Sequence, residues 1–176
     1  MEELLSEDHE ALGELLHALL AALDQRDAPA AFKRLDLFWA RLAMHIRGEH
    51  LHLFPAILSA FDSVTDKLAD KAPTPADARE AIAQLHGDHD FFMHELAAAI
   101  KIMRDYRNNY GADGAAAIEG VRQMIAGVRD RLELHNHLEE DLVYRWPAKL
   151  LGAASQTALA AQVQGELRNL PPRFRD

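Results

Sequence analysis

Cysteine is absent from the 176 residues. Its absence excludes disulfides, thiolate metal ligands and a cysteine nucleophile. Basic residues are also few, because 19 Lys and Arg against 28 Asp and Glu give a formal net charge of −9. Nucleic acids and anionic membranes both favour clustered positive charge. We therefore expect neither of them as a partner.

The sequence also has no apolar run long enough to cross a bilayer. Its first ten residues, MEELLSEDHE, contain neither the basic nor the apolar region of a signal peptide. Apolar residues make up 49% of the chain, which is enough to fill a core. We therefore expect one cytoplasmic domain covering residues 1–176.

Helical periodicity is present almost throughout, and no run alternates as a strand does. The pattern predicts four long helices and a shorter last one, at residues 6–24, 29–61, 75–107, 113–145 and 155–169. Short links between long helices favour an all-α fold, an up-down-up-down four-helix bundle at about 6–147. The last helix is expected to pack outside the bundle.

Capping residues and prolines set the expected helix limits. Ser6, Thr74 and Ser155 are predicted N-caps, since short polar side chains accept hydrogen bonds from the first free N–H groups. Pro75 suits the first helical position. Pro55 lies inside the second helix, where the missing N–H predicts a kink about one turn earlier.

Ten histidines are present, and several recur in an internal repeat. The motif EDHE in the first predicted helix matches GDHD in the third, and HIRGEHLHLF in the second matches HNHLEEDLVY in the fourth. The alignment pairs His9 with His89, His45 with His135, and Glu49 with Glu139. Two helical hairpins related in this way can surround two metal ions.

The His-x-x-x-Glu spacing points to metal binding. Residues four apart lie on one helix face, so in each copy the imidazole and the carboxylate can face the same point. Nitrogen and oxygen ligands without thiolates suit iron, manganese or zinc. One such pair would more often be a solvent-facing contact. Two pairs at matching positions of a repeat, both flanked by apolar residues, favour a metal site.

The expected depths of these residues in the bundle agree with a common site. Measured from the predicted helix ends, His9, His45, His89 and His135 lie at the same level to about one helical turn. The alternative is a metal-free bundle with histidines as polar core residues. It would bury unpaired imidazoles and carboxylates at a cost of several kcal/mol.

A ferritin-like site is the other arrangement that the motifs suggest. Glu14 with His17 and Glu49 with His52 have the Glu-x-x-His spacing used there. Their expected depths differ by roughly 20 Å along the helix axes, and the fourth helix has no matching motif. This arrangement is therefore rejected.

The other histidines receive separate predictions. His86 precedes His89 by three residues, so both can point inward, and His86 is expected to be an additional ligand. His52 shares the face of His45 and is expected in the pocket, near the metals but not bound to them. Solvent or packing roles are expected for His50, His94 and His137.

Together, these motifs resemble the hemerythrin-like, HHE cation-binding family over roughly residues 6–147. The resemblance implies a non-haem di-iron centre with an oxo or hydroxo bridge. The implied terminal ligands are His9, His45, His86, His89 and His135, and the implied bridging carboxylates are Glu49 and Glu139. Zinc or manganese can occupy such a site in a recombinant sample without being the native metal.

The sequence departs from the family pattern in four places, and one of them is His52, which is unusual at its position. His50 stands where a second acidic residue often follows, and His86 and His89 are three apart where the oxygen carriers have a spacing of four. The carriers also have an aspartate at the position of Glu140, whereas Glu139 matches the bacterial pattern. These departures argue against simple reversible oxygen carriage and leave metal binding expected.

Three functions remain open. The leading hypothesis is a di-iron protein that binds or senses O2, nitric oxide or peroxide at an open metal position. The second is an enzyme that degrades peroxide or processes nitric oxide, with His52 carrying protons. The third is a metal-dependent signalling or interaction module that acts on a separate partner. A homodimer is compatible with each of them.

Overall fold

A computed structural model describes residues 1–63, 73–108 and 114–174, and these residues form helices and short connections but no strand. The predicted all-α class is therefore confirmed. Helices α1 to α7 span Glu2–Asp24, Ala28–Gly48, Phe54–Ser63, Pro75–Asn108, Gly114–Asp141, Trp146–Leu150 and Ala153–Leu167. A π-helical turn, Glu49–Leu53, joins α2 to α3, and Val143–Arg145 and Pro172–Phe174 form 3₁₀ turns. In the described part of the chain, no helix is both long and apolar enough to span a membrane.

The helix starts are partly as predicted. Helix α4 begins at Pro75 after the cap Thr74, as expected. Helix α1, however, begins at Glu2, so Ser6 lies in its second turn and is not the N-cap. The extension has a physical reason. Leu5 is fully buried against the core, and the acidic residues of the first turn favour the positive end of the helix dipole.

The predicted fourth helix is interrupted before its expected end. Helix α5 stops at Asp141, and Leu142 leaves the helical region with φ −126° and ψ −66°. A 3₁₀ turn follows, and Pro147 then occupies the first turn of α6. This change of direction matters for the site, because Tyr144 in the 3₁₀ turn is buried in the core.

Two apolar clusters fill the space between the helices. Helix α1 contacts α2 and α5, and α4 contacts the same two helices. One cluster lies between these long helices, and the other involves α3, α6 and α7. On α1 and α4 a buried histidine separates the two clusters. His9 lies between Leu5 and Leu12 on α1, and His89 lies between Leu85 and Phe92 on α4. The fold thus contains a buried polar layer between two apolar ones.

The last long helix packs outside, against α2 and the π-helical turn. Helix α7 begins at Ala153 with Gly152 as its N-cap, so Ser155 is not the cap that the sequence predicts. Its close approach to α2 depends on Gly48, where a Cβ atom would lie 3.3 Å from Val163 Cγ1. Helix α7 therefore covers the outer side of the segment that carries the second histidine motif.

We expect Thr74→Ala to lower the free energy of unfolding by about 1 kcal/mol. Thr74 Oγ1 accepts a hydrogen bond from the Asp77 N–H at 3.2 Å, and Asp77 Oδ2 accepts one from the Thr74 N–H at 2.8 Å. Alanine leaves the Asp77 N–H without this acceptor. Urea unfolding at fixed metal content measures the change. Thr74→Ser keeps the hydroxyl and should retain wild-type stability, and equal stability of the alanine variant would contradict the prediction.

Candidate metal centre

The polar layer contains most of the predicted ligands. Buried polar side chains in the described residues are His9, His45, Glu49, Asp88, His89, His135 and Glu139. Six of them are predicted metal ligands, and the seventh, Asp88, was not predicted. We call the six the centre: four histidines, two from each half of the repeat, and the two glutamates. Their burial in an apolar surrounding requires that they be satisfied by one another or by a bound ion.

The first half of the centre lies between α1 and α2. The Nε2 atoms of His9 and His45 are 3.2 Å apart, and Glu139 Oε2 is 3.2 Å from His9 Nε2. These three buried residues form one group that could hold a metal ion. Glu49 Oε1 lies near the same group, 3.6 Å from His45 Nε2.

The second half lies between α4 and α5 and repeats this geometry. The Nε2 atoms of His89 and His135 are 3.0 Å apart, and Glu139 Oε1 is 3.1 Å from His135 Nε2. These residues form a second group that could hold a metal ion. Glu49 Oε2 lies 3.3 Å from His89 Nε2.

Each glutamate therefore directs one oxygen to each pair of histidines. Glu49 Oε2 and Glu139 Oε1 are buried and form no hydrogen bond. A buried carboxylate oxygen without a partner is costly, and a cation between the histidines and the carboxylates supplies the missing partner. The residues present thus fit metal ions that prefer nitrogen and oxygen ligands.

Two aspartates fix the orientation of two of the histidines. Asp8 Oδ2 lies 3.0 Å from His45 Nδ1, and Asp88 Oδ2 lies 3.2 Å from His135 Nδ1. Because a carboxylate only accepts hydrogen bonds, Nδ1 carries a proton in both rings, and each ring, when neutral, directs its Nε2 lone pair to the centre. Arginines at matching positions of the repeat hold these carboxylates, Arg41 on Asp8 and Arg131 on Asp88, each at 2.7 Å.

The other two histidines also have partners for their outer nitrogens, but these partners differ. Glu140 Oε1 lies 2.7 Å from His9 Nδ1, whereas His50 Nε2 lies 2.8 Å from His89 Nδ1. When His89 is neutral and presents its Nε2 lone pair to the centre, its Nδ1–H donates to His50. The sequence prediction of a solvent or packing role for His50 missed this contact.

The π-helical turn explains why His50 was missed. Pro55 has no N–H to continue the α-helical hydrogen bonds, and the chain forms the π-helical turn Glu49–Leu53 just before it. A π turn contains more residues than an α turn, so it changes the direction of side chains beyond His45. Regular α-helical spacing from His45 therefore gave the wrong direction for His50, which contacts His89.

Tyr144 is the other residue that the sequence reasoning missed. It is buried, and its Oη lies 2.7 Å from Glu49 Oε1 and 2.9 Å from Glu139 Oε2, to either of which it can donate. Burial and the charges of the two glutamates raise the pKa of Tyr144 well above its ordinary value. The repeat could have indicated that this side chain is buried, because Tyr144 takes the position of the apolar Phe54.

Proton positions in the metal-free centre follow from burial and from its charges. Burial lowers the pKa of His45, but Glu49 and the hydrogen bond to Asp8 outweigh it and raise that pKa to about 10. Burial holds the pKa of His89 at about 2, so this imidazole is neutral. Burial and the neighbouring Glu139 raise the pKa of Glu49. Without a cation, the centre thus needs a proton on His45 to balance its carboxylates.

Two further predicted site residues lie outside these groups. His86 is exposed, and its ring centroid is 4.3 Å from that of His50. Neither metal-competent group of described residues includes His86, and its ligation stays a prediction. His52 Nε2 lies 3.6 Å from Glu166 Oε1 on α7, so it faces the C-terminal helix and not the centre.

Two buried His/Glu groups that share Glu139 within a helical fold are typical of a metal-binding protein. The sequence profile of the hemerythrin HHE cation binding domain matches residues 1–146. The chain belongs to this family, which confirms the resemblance seen in the motifs. Comparisons with curated proteins and with solved structures gave no significant match.

We expect Asp88→Ala to weaken metal binding roughly 10- to 100-fold, because His135 loses the acceptor that fixes its ring. Competition with a chromophoric chelator measures the affinity. Asp90→Ala is the matched control, since Asp90 is exposed on the same helix. Equal affinities of the two variants would show that Asp88 does not support the site.

Proposed function

We propose that this protein is a non-haem di-iron protein that binds or senses O2 or a related small ligand such as nitric oxide or peroxide. One observation carries the proposal. Glu49 and Glu139 each direct one oxygen to the His9/His45 pair and the other to the His89/His135 pair. Carboxylates in this position suit two adjacent cations better than one.

We also propose that the helices adopt the up-down-up-down arrangement predicted from the sequence. Helices α1 and α2, α2 and α4, α4 and α5, and α5 and α1 are in contact, which closes a ring of four. The α1–α2 link is only Gln25–Asp27, and a link this short favours antiparallel neighbours. The matching depths of the four histidines support the same arrangement.

In this proposal His9 and His45 would hold one iron, His89 and His135 would hold the other, and Glu49 and Glu139 would supply carboxylate oxygens to both. Neutral imidazoles and carboxylates suit iron without thiolates. When bound, an iron pair supplies two electrons and an open coordination position to a small oxidising ligand. Zinc and manganese accept the same ligands, so the metal found in a recombinant sample need not be the native one.

The surroundings of the centre fit a small ligand. Apolar clusters on both sides exclude bulk water, so electrostatic interactions at the centre are strong. A surface pocket of about 490 Å³ reaches Tyr144, and Glu3 and Ser6 form part of its wall. Tyr144 also contacts Glu49 and Glu139, so its buried side chain separates this pocket from the centre.

The hypothesis of an enzyme relied on His52 as a proton carrier beside the metals. His52 faces Glu166 on α7, which removes the observation that favoured turnover of peroxide or nitric oxide over binding. The alternative of a signalling module also lacks an observation of its own. Ligand binding is therefore the function that we propose.

We expect anaerobically loaded protein to contain two ferrous ions per chain and to develop ferric charge-transfer absorption in air. Glu139→Gln should lose at least one iron, because Glu139 belongs to both metal-competent groups. Glu133→Gln, at an exposed position on the same helix, should keep both. Iron analysis and absorption spectra measure these outcomes. Absence of bound iron in the wild-type protein, or full loading of Glu139→Gln, would contradict the proposed site.

A further inference from the structure

The hydroxyl of Tyr144 lies among atoms of one proposed iron position. Its Oη is 3.1 Å from His9 Nε2 and 3.3 Å from His45 Nε2, in addition to its contacts of 2.7 Å and 2.9 Å with Glu49 and Glu139. All four atoms belong to residues of the His9/His45 half of the centre or to the bridging glutamates. The side chain of Tyr144 is 1% exposed, so its hydroxyl group is not hydrogen-bonded to bulk water.

Hydrogen bonding alone does not satisfy this cluster of atoms. A phenol has one proton to donate. The Nδ1 atoms of His9 and His45 face carboxylates, so once His45 has lost the extra proton of the metal-free state, as metal binding requires, both rings present Nε2 lone pairs to the hydroxyl. In that state two lone pairs of nitrogen and two carboxylate oxygens share one phenolic proton. A cation among these atoms would satisfy all of them.

The distances also agree with a shared coordination shell. Ligands about 2.1 Å from an octahedral ion lie about 3 Å apart at neighbouring positions. The four distances from Tyr144 Oη range from 2.7 to 3.3 Å. The Nε2 atoms of His9 and His45, at 3.2 Å, have the same spacing. The phenol oxygen thus has the spacing of one more ligand in the set.

We propose that Tyr144 is a protein ligand of the iron at His9 and His45, bound through its oxygen as a phenolate. The inference rests on the proposed di-iron function. As the iron–oxygen bond forms, the phenolic O–H bond breaks and its proton is released to solvent, and no electron is transferred. In the metal-free protein, the negative charges of the two carboxylates favour the protonated phenol. Two bound cations would neutralise these charges and so favour the phenolate.

Among the described residues, the other half of the centre has no equivalent tyrosine. Phe54 occupies the matching position of the repeat, and its ring stacks on that of His89 at 6.2 Å between centroids. Among Tyr144 and the residues of the centre, the protein would thus supply one more ligand to the iron at His9 and His45 than to the iron at His89 and His135. Because His86 is exposed and lies outside the metal-competent groups of described residues, the proposal places the open position for a small ligand on the His89 side.

The test uses the three tyrosines of the chain, Tyr106, Tyr110 and Tyr144. Wild-type protein, Tyr144→Phe and the double variant Tyr106→Phe/Tyr110→Phe are loaded with iron and oxidised. Iron content, visible absorption and resonance Raman spectra are recorded for each. We expect a phenolate-to-iron charge-transfer band and phenolate ring vibrations in the wild type and in the double variant, where Tyr144 is the only tyrosine.

Tyr144→Phe should lose both signals and retain two irons, which supports ligation by Tyr144. If Tyr144→Phe does not fold or load, phenolate vibrations in the double variant still support it. Two bound irons without phenolate signals in the wild type would overturn the inference and leave the di-iron proposal intact. Wild-type protein that binds no iron would overturn both.

Discussion

The structure depends on the burial of two carboxylates, Glu49 and Glu139, at one level of a helical core. Each lies between two pairs of imidazoles and leaves one oxygen without a hydrogen bond. Buried charges of like sign repel one another and lose hydration, so such a pair is expected only where cations or protons compensate it. The raised pKa of His45 shows how the metal-free protein compensates part of this charge.

The helices that meet at this level carry matching supports for the centre. Asp8 and Asp88 precede the histidines at 9 and 89, yet their carboxylates bond the histidines at 45 and 135 on the neighbouring helices. Each hydrogen bond thus joins two helices as well as orienting a ring. Arg41 and Arg131 extend both chains of contacts to partly exposed positions. The same interactions therefore orient the histidine rings and hold the helices together.

The sequence was sufficient for the helical class, because it follows from regular helical spacing. The same spacing and the repeat also led us to expect together the six residues that the structure buries at one level, and their metal ligation stays a prediction. The sequence was insufficient where the backbone departs from the α-helix. The π-helical turn directs His50 to His89, and the break at Leu142 directs Tyr144 inward. Residue spacing predicts regular helices, so it reveals neither of these departures. The aspartates at 8 and 88 were visible in the repeated motif, but their bonds cross between helices, which spacing within one helix does not report.

The repeat is symmetric at the buried histidines and glutamates and asymmetric around them. Position 140 is a glutamate where position 50 is a histidine, and position 144 is a tyrosine where position 54 is a phenylalanine. The anionic Glu140 and the oxygen-bearing Tyr144 therefore lie near His9. The neutral His50 and the apolar Phe54 lie near His89. In the proposed di-iron centre, negative charge near one metal would favour its higher oxidation state more than neutral surroundings would. These two differences would therefore give the two proposed metal positions different chemistry within one symmetric frame.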